Sequence, residues 1–454
     1  MRAMRFTFLP LLLLTSVLAA CLAGCASTRA PTRPRDTAAT VSAPPERQIV
    51  VTVRNGGAAA AQGVGSSGAS YGGLARYQPS PAALRDAVSI ARRHGLRQLA
   101  AWPIEVLDVH CIVYAVDDAR GLEVVLDEVR ADRAVESVQP LRLFRAQSSG
   151  QSTGQSGAAR DDPYLGLQDS VAVMQVEEAH RWSRGAGVRI AVVDSGVDDT
   201  HPDLAGRIVV SRDLTGAPQG SGRHDLHGTA VAGVIAANEG NGTGIVGIAP
   251  DSSVLALRGC WQEPRGETQA TVCNTLTLAR ALALSLSERA DIINLSLTGP
   301  SDPLLERLLR RALAMGKIVV AAVPEAPGRD EGFPANLSGV IAVASAGGPT
   351  VAGFPEALRA PGHNVLTLRP EGRYDFESGS SMAAANVTGI AALLRSLRHD
   401  VTAADLRMLL QSEPRRTDVA EPAAAPMVNA CQAVVALLHA GECGALRRMH
   451  AIRQ

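Results

Sequence analysis

Three polar side chains, far apart in the chain, each stand at the edge of a regular element. Asp194 ends the apolar run Val188-Arg189-Ile190-Ala191-Val192-Val193 and precedes the turn Ser195-Gly196. His227 opens Gly228-Thr229-Ala230-Val231-Ala232-Gly233-Val234, a small-residue run of helical character. Ser381 follows Gly379-Ser380 and precedes Met382-Ala383-Ala384-Ala385, where an Ala- and Leu-rich helical run begins. A serine beside a first helical turn has free backbone N–H groups at the positive end of the helix. Those groups can stabilise the oxyanion formed when the hydroxyl attacks a carbonyl. A histidine can take the hydroxyl proton, and a carboxylate can hold the histidine in one tautomer. Singly, each is ordinary: Gly-Ser-Ser caps helices, an aspartate ends a strand in a turn, a histidine starts a helix. Together they suit acyl transfer.

The order Asp, His, Ser and the residues around them resemble the subtilisin-like (subtilase) serine proteases. That family's signatures, Asp-Thr/Ser-Gly, His-Gly-Thr and Gly-Thr-Ser-Met-Ala, read here Asp194-Ser195-Gly196, His227-Gly228-Thr229 and Gly379-Ser380-Ser381-Met382-Ala383. The resemblance spans roughly residues 160–440 and implies a serine endopeptidase acting on protein or peptide substrates. It gives Ser381 the role of nucleophile, His227 that of general base and acid, and Asp194 that of orienting carboxylate.

The same resemblance makes Ser296, Leu297, Thr298 and Gly299 the edge that pairs with an extended substrate, main chain to main chain. The family's side-chain donor to the oxyanion, an Asn in an Ala-Gly-Asn context, is missing. Ala322-Val323-Pro324-Glu325-Ala326 stands there, and an ionised Glu325 cannot donate. The alternative is therefore a catalytically weak pseudoprotease that binds peptides. Calcium commonly stabilises the family, and Asn238-Glu239-Gly240-Asn241-Gly242-Thr243-Gly244-Ile245-Val246-Gly247 lies where a calcium loop can occur. A plain Gly/Asn turn fits this stretch equally, and no metal ligand is assigned.

The elements that must position these groups read as an α/β fold. Apolar runs at Ser253–Leu257, Asp291–Leu297, Lys317–Val323 and Gly339–Ala344 alternate with helical patterns at Thr275–Ser287 and Leu304–Ala314. Strands that are apolar throughout belong to a parallel sheet with both faces covered by helices. Ligands bind beyond the carboxyl ends of such strands, where Asp194 sits. The expected fold is thus a subtilisin-like parallel sheet flanked by helices over residues 162–440, followed by a tail at 441–454.

Residues 47–145 read as a separate, small ferredoxin-like α+β domain. Its strands are Gln48–Val53, Val109–Val116 and Val135–Leu141, and its helices are Pro81–His94 and Leu122–Arg133. Size and position resemble the subtilase propeptide, which implies an intramolecular inhibitor whose C-terminal end lies in the cleft. Polar residues 146–161, rich in Gly, Ser and Gln, read as a flexible linker open to cleavage.

The chain has 454 residues, with Lys+Arg 44 balanced by Asp+Glu 44. A net charge of +0 gives no basic excess of the kind nucleic-acid binding uses. With 46% hydrophobic but only 3% aromatic residues, the core must be built from Ala, Val, Leu and Ile. Basic residues followed by the apolar stretch from Phe6 to Ala20 read as an export signal, residues 1–25. Leu22-Ala23-Gly24-Cys25 resembles a bacterial lipobox, as does the tetrad ending at Cys21; Cys25 is the favoured lipidation site, and residues 26–46 a tether. This implies a cell-envelope lipoprotein anchored by acyl chains. Export permits disulfides. Cys260 with Cys273 and Cys431 with Cys443 are near in sequence and form the expected pairs, one of three pairings open to four cysteines, with Cys111 left over as a buried thiol.

Overall fold

The computed structural model describes residues 43–56, 77–147, 149–150, 162–216, 221–265, 268–325, 332–347, 352–411 and 427–443, all in one unit, Ala39–Gln454. The expected signal with Cys21 and Cys25, nearly all of the tether, the Gly-rich insert after Gly56, most of the linker after Gln147 and the last residues of the tail lie outside the described residues.

The N-terminal part, expected as a separate domain, lies in the same compact unit as the rest and runs β1 (Gln48–Arg54), α1 (Pro81–His94), β2 (Arg97–Ile104), β3 (Val109–Ala115), α2 (Leu122–Arg130) and β4 (Ser137–Pro140). Its antiparallel sheet has the order β2-β3-β1-β4. Successive strand residues point to opposite faces. Ile49, Val51 and Val53 of β1 meet Ala83, Ala87 and Ile90 of α1 and Val125, Leu126 and Val129 of α2. Val50, Cys111 and Val113 point the other way, into the core of the larger domain. Both faces of this small sheet are therefore covered, one by its own helices and one by its neighbour.

Two short strands follow, β5 (Leu143–Ala146) and β6 (Ser149–Gly150). The larger domain then contains the short helices α3 (Asp169–Val173) and α4 (Val176–Ala179), β7 (Arg189–Asp194), β8 (Ile208–Asp213), α5 (Leu226–Ala236) and β9 (Ser253–Arg258). Next come the hairpin β10 (Cys260–Arg265) and β11 (Thr268–Asn274), α6 (Thr275–Ser287), β12 (Ile292–Leu295), β13 (Leu297–Thr298) and α7 (Pro303–Ala314). The domain closes with β14 (Ile318–Ala322), β15 (Ile341–Ser345), β16 (Leu358–Ala360), β17 (Val365–Arg369), β18 (Arg373–Ser378), α8 (Ser380–Leu397), α9 (Ala403–Gln411) and α10 (Ala430–Leu438).

Seven strands form one parallel sheet in the order β16-β15-β14-β12-β7-β9-β8. Ile190 and Val192 of β7 face a core shared with α5 and α8, whereas Ala191 and Val193 face α6 and α7. This is the covered parallel sheet that the apolar runs predict. The helices that face the N-terminal domain, α6 and α7, also take a polar contact from it: the Leu304 N–H donates to Gln139 Oε1 at 2.9 Å. That bond satisfies one of the free N–H groups in the first turn of α7.

Cys260 is bonded to Cys273 across the β10–β11 hairpin and Cys431 to Cys443 beside α10, while Cys111 is free and buried. Among the described residues, no helix is long and apolar enough to cross a membrane.

Candidate active site

Asp194 is the last residue of β7, and its carboxylate is buried. Its Oδ1 accepts from His227 Nδ1 at 2.7 Å and from the Ser195 N–H at 2.6 Å. His227 lies in the first turn of α5. The turn after Asp194 and the start of α5 are pressed together: the Gly228 N–H donates to Ser195 Oγ at 3.0 Å, and a Cβ on Gly228 would meet Ser195 O at 2.5 Å. The glycine of His-Gly-Thr is thus needed for close approach.

A second clamp holds the same two segments. The carboxylate of Asp225 accepts from the Gly196 N–H and from Arg258 Nε, both at 2.8 Å, and Arg258 also reaches Asp213 at 2.7 Å. Burial by itself lowers the pKa of the His227 ring. The charge and hydrogen bond of Asp194, with the charge of Glu377, outweigh it and hold the ring above its ordinary value. Nε2, the other ring nitrogen, is buried with no partner among the described residues.

Ser381 is the second residue of α8 and is fully buried. Its Oγ donates to Ser296 O at 3.0 Å and accepts from the Gln147 N–H at 3.2 Å. Its own N–H donates to Gln147 O at 3.2 Å. The helix start is tied to the sheet by a relay of side chains. Ser296 Oγ donates to Ser381 O, Asn294 Nδ2 to Ser296 Oγ, and Thr388 Oγ1 to Asn294 Oδ1. Glu325, considered as the group replacing an oxyanion donor, does something else. Its carboxylate accepts from the Ser380 N–H at 2.8 Å, at the positive end of α8. Its backbone N–H donates to Gln147 Oε1 at 3.2 Å.

The cleft is filled by the chain itself. β5 lies antiparallel between β11 and β13, with Arg145 opposite both Val272 and Thr298, Phe144 opposite Cys273, and Ala146 opposite Leu297. Of the expected pairing edge, Leu297 and Thr298 form these ladder pairs, and Ser296 O accepts the Gln147 N–H at 3.4 Å. Gly299 instead pairs with Phe333, and its Cα faces the Phe144 ring, where a Cβ would lie 2.2 Å from Cδ1. Beyond Gln147, the short strand β6 pairs with Glu377 and Ser378 of β18. Ala146 and residues 149–150, read from sequence as linker, are therefore strand-paired along the cleft.

Sequence reasoning passed over Phe144, Gln147, Asp225 and Glu377. Phe144 carried a signal, as one of only six Phe in the chain placed just before a polar stretch. Gln147 carried none, because what holds it is mostly backbone.

The loop read as a calcium candidate has acidic neighbours. Asp203 accepts from Asn241 Nδ2 at 2.8 Å and from the Ile245 N–H at 2.9 Å. Asp162 accepts from the Gly240 N–H at 2.6 Å, and its other carboxylate oxygen is buried without a partner among the described residues. Burial first, and then the charge of Asp162, push Asp203 up to about 6. The Asn241 amide turns its Nδ2 to Asp203 and its Oδ1 to the Thr243 N–H at 2.9 Å, so a hard cation would meet only the two crowded carboxylates, with Asp162 Oδ1 the oxygen left without a partner among the described residues.

A profile described as "Subtilase family" matches residues 185–426. The major intracellular serine protease of Bacillus subtilis is 33% identical over 253 residues, covering 52% of this chain and 76% of the relative. Thermitase of Thermoactinomyces vulgaris is 35% identical over 244 residues, covering 52% of this chain and 85% of the relative. Among solved structures, fervidolysin of Fervidobacterium pennivorans, a keratinolytic enzyme related to subtilisin, aligns with a TM-score of 0.64 at 20% identity. That alignment covers 86% of this chain and 61% of fervidolysin and speaks to the fold.

Proposed function

The chain is a serine endopeptidase of the subtilase family, and from that premise we propose that Ser381, His227 and Asp194 carry its chemistry in an exported zymogen. Ser381 Oγ attacks the scissile carbonyl while His227 Nε2 takes its proton. Asp194, bonded to Nδ1, fixes the tautomer and stabilises the imidazolium. The peptide amine leaves with the proton from His227, and water then cleaves the acyl-enzyme. Ser381 N–H holds the developing oxyanion. Glu325 is an acceptor on α8, so the site lacks the side-chain donor usual in the family. A loss of that kind slows turnover by roughly 10²–10³.

The observation that carries this reading is the pair of hydrogen bonds between Gln147 and Ser381. They set a carbonyl of the chain itself against the nucleophile, as an inhibitory propeptide would. The N-terminal domain, residues 47–145, is then an inhibitor in cis. Lipidation at Cys25 would anchor the zymogen in the cell envelope, and cleavage near residue 147 would free the catalytic domain. Calcium would be held by the carboxylates of Asp162 and Asp203, where it would stiffen the loop by neutralising both.

Ser381→Ala and His227→Ala variants test the triad. Each should hydrolyse casein at least ~10³-fold more slowly than wild type. Wild-type-like hydrolysis by either variant would remove it from the mechanism. For the anchor, blots of membrane and soluble fractions should show a full-length, membrane-bound Ser381→Ala chain and a shorter, released wild-type chain. Equal sizes and fractions would exclude self-release.

A further inference from the structure

The side chain of Gln147 is held as specifically as its backbone. Its Oε1 accepts from the Glu325 N–H at 3.2 Å, and its Nε2 donates to Thr298 Oγ1 at 2.9 Å. A donor and an acceptor thus face the two ends of a primary amide. Leucine in that position would forfeit both bonds. Glutamate would bring a second carboxylate to the segment that already carries Glu325. Three residues earlier, Phe144 is buried against Phe333, ring centroids 6.3 Å apart, in the space left by the missing side chain of Gly299. Between them Arg145 is exposed, as alternation along an extended strand requires. Of the four side chains from Phe144 to Gln147, those of Phe144 and Gln147 are therefore held, Arg145 is exposed and Ala146 is half-buried.

We propose that this site is selective for glutamine on the acyl side of the scissile bond, with an aromatic residue three positions earlier, and that the bond on the carbonyl side of Gln147 is the first one it cuts. The proposal deepens the endopeptidase reading and rests on it. For the step to occur, the Ser381 hydroxyl turns from Ser296 O to His227 Nε2, which is free to receive the proton. Oγ bonds to the Gln147 carbonyl carbon, the C–N bond breaks, and the new amine takes the proton from His227. Water adds to the ester, restoring Ser381 and leaving Gln147 as a carboxylate terminus.

The test has two arms on the full chain. Intact-mass and terminal peptide analysis of wild type should find a Ser381-dependent product ending at Gln147. The processed enzyme should then cleave the coumarin amide of acetyl-Phe-Arg-Ala-Gln ~10-fold or more faster, by kcat/KM, than the Leu and Glu counterparts, since each lost amide contact weakens transition-state binding. Replacing Phe by Ala in the peptide should cost a further ~10-fold. Thr298→Val should narrow the preference for Gln over Leu to ~3-fold or less while Leu is still cleaved. A first cut elsewhere, or equal rates for Gln, Leu and Glu, overturns the specificity but leaves an active endopeptidase. Absence of any Ser381-dependent cleavage, of peptides or of protein, overturns the endopeptidase reading with it.

Discussion

Gln147 and Ser381 exchange two hydrogen bonds, the Gln147 N–H to Ser381 Oγ and the Ser381 N–H to Gln147 O, both 3.2 Å long. The Gln147 carbonyl is thereby held against Ser381, the proposed nucleophile. Because β5 is paired on both sides, the segment cannot leave without breaking two ladders. In the proposed zymogen this one arrangement would serve as both inhibitor and substrate.

Phe144 should be the anchor of that arrangement. Truncating a buried Phe costs about 3–5 kcal/mol in a core. Phe144→Ala, placed in the uncleavable Ser381→Ala chain, should expose residues near 147 to added trypsin or chymotrypsin several-fold faster. Digestion at an unchanged rate would show that the ring does not hold the strap.

The acid limb of the pH–rate profile should lie above the ordinary histidine value of 6.5, because Asp194 and Glu377 hold His227 higher against the effect of its burial. The base works when neutral, so kcat/KM rises as pH climbs through this limb. Glu377 is ion-paired with Arg369 at 2.8 Å, and Asp375 also faces that guanidinium at 3.4 Å. Glu377→Gln removes one charge that favours the imidazolium, and the limb should move to lower pH. The linkage to stability has a definite sign. The raised ring pKa stabilises the fold fully below about 6.5, and this contribution fades as pH rises through the folded value. A profile unmoved by Glu377→Gln would detach that carboxylate from the ring.

How much of this the sequence reveals differs by element. Pro81–His94 is read to the residue because Ser80 caps it, Pro81 opens it and Gly95 ends it at φ 60°. The run Val188–Val193 announces β7 because both of its faces are buried. By contrast, β2 escapes notice. Most of Arg97–Ile104 is exposed or half-buried and includes Pro103, so neither period nor composition marks it. The β10–β11 hairpin is equally hidden, apart from its two cysteines. In the site, Asp194, His227 and Ser381 are legible because each terminates or starts an element. Gln147 is not, since the partners that define it lie 151 and 234 positions away.

The Cys260–Cys273 bond joins directly opposed residues of β10 and β11, and β11 forms one wall of the cleft. A bond closing 13 positions is worth about 3 kcal/mol in the chain-entropy model. Replacing both cysteines by Ser should lower Tm by several degrees and raise KM for the Phe-Arg-Ala-Gln peptide more than it lowers kcat. Equal effects on both constants would point to damage beyond that wall.

Calcium chelation gives a further check. If Asp162 and Asp203 share a cation, added calcium should raise Tm and a chelator should lower it. Asp203→Asn should remove most of that response. Identical melting with and without calcium would mean that the loop from Asn238 to Gly247 is held by its own hydrogen bonds.

The most direct measurement is intact-mass analysis after exposure of the processed chain to a fluorophosphonate. One adduct is expected, on Ser381, lost in Ser381→Ala and strongly slowed in His227→Ala. Adducts on another residue, or no adduct on processed wild type at any pH between 6 and 9, would contradict it.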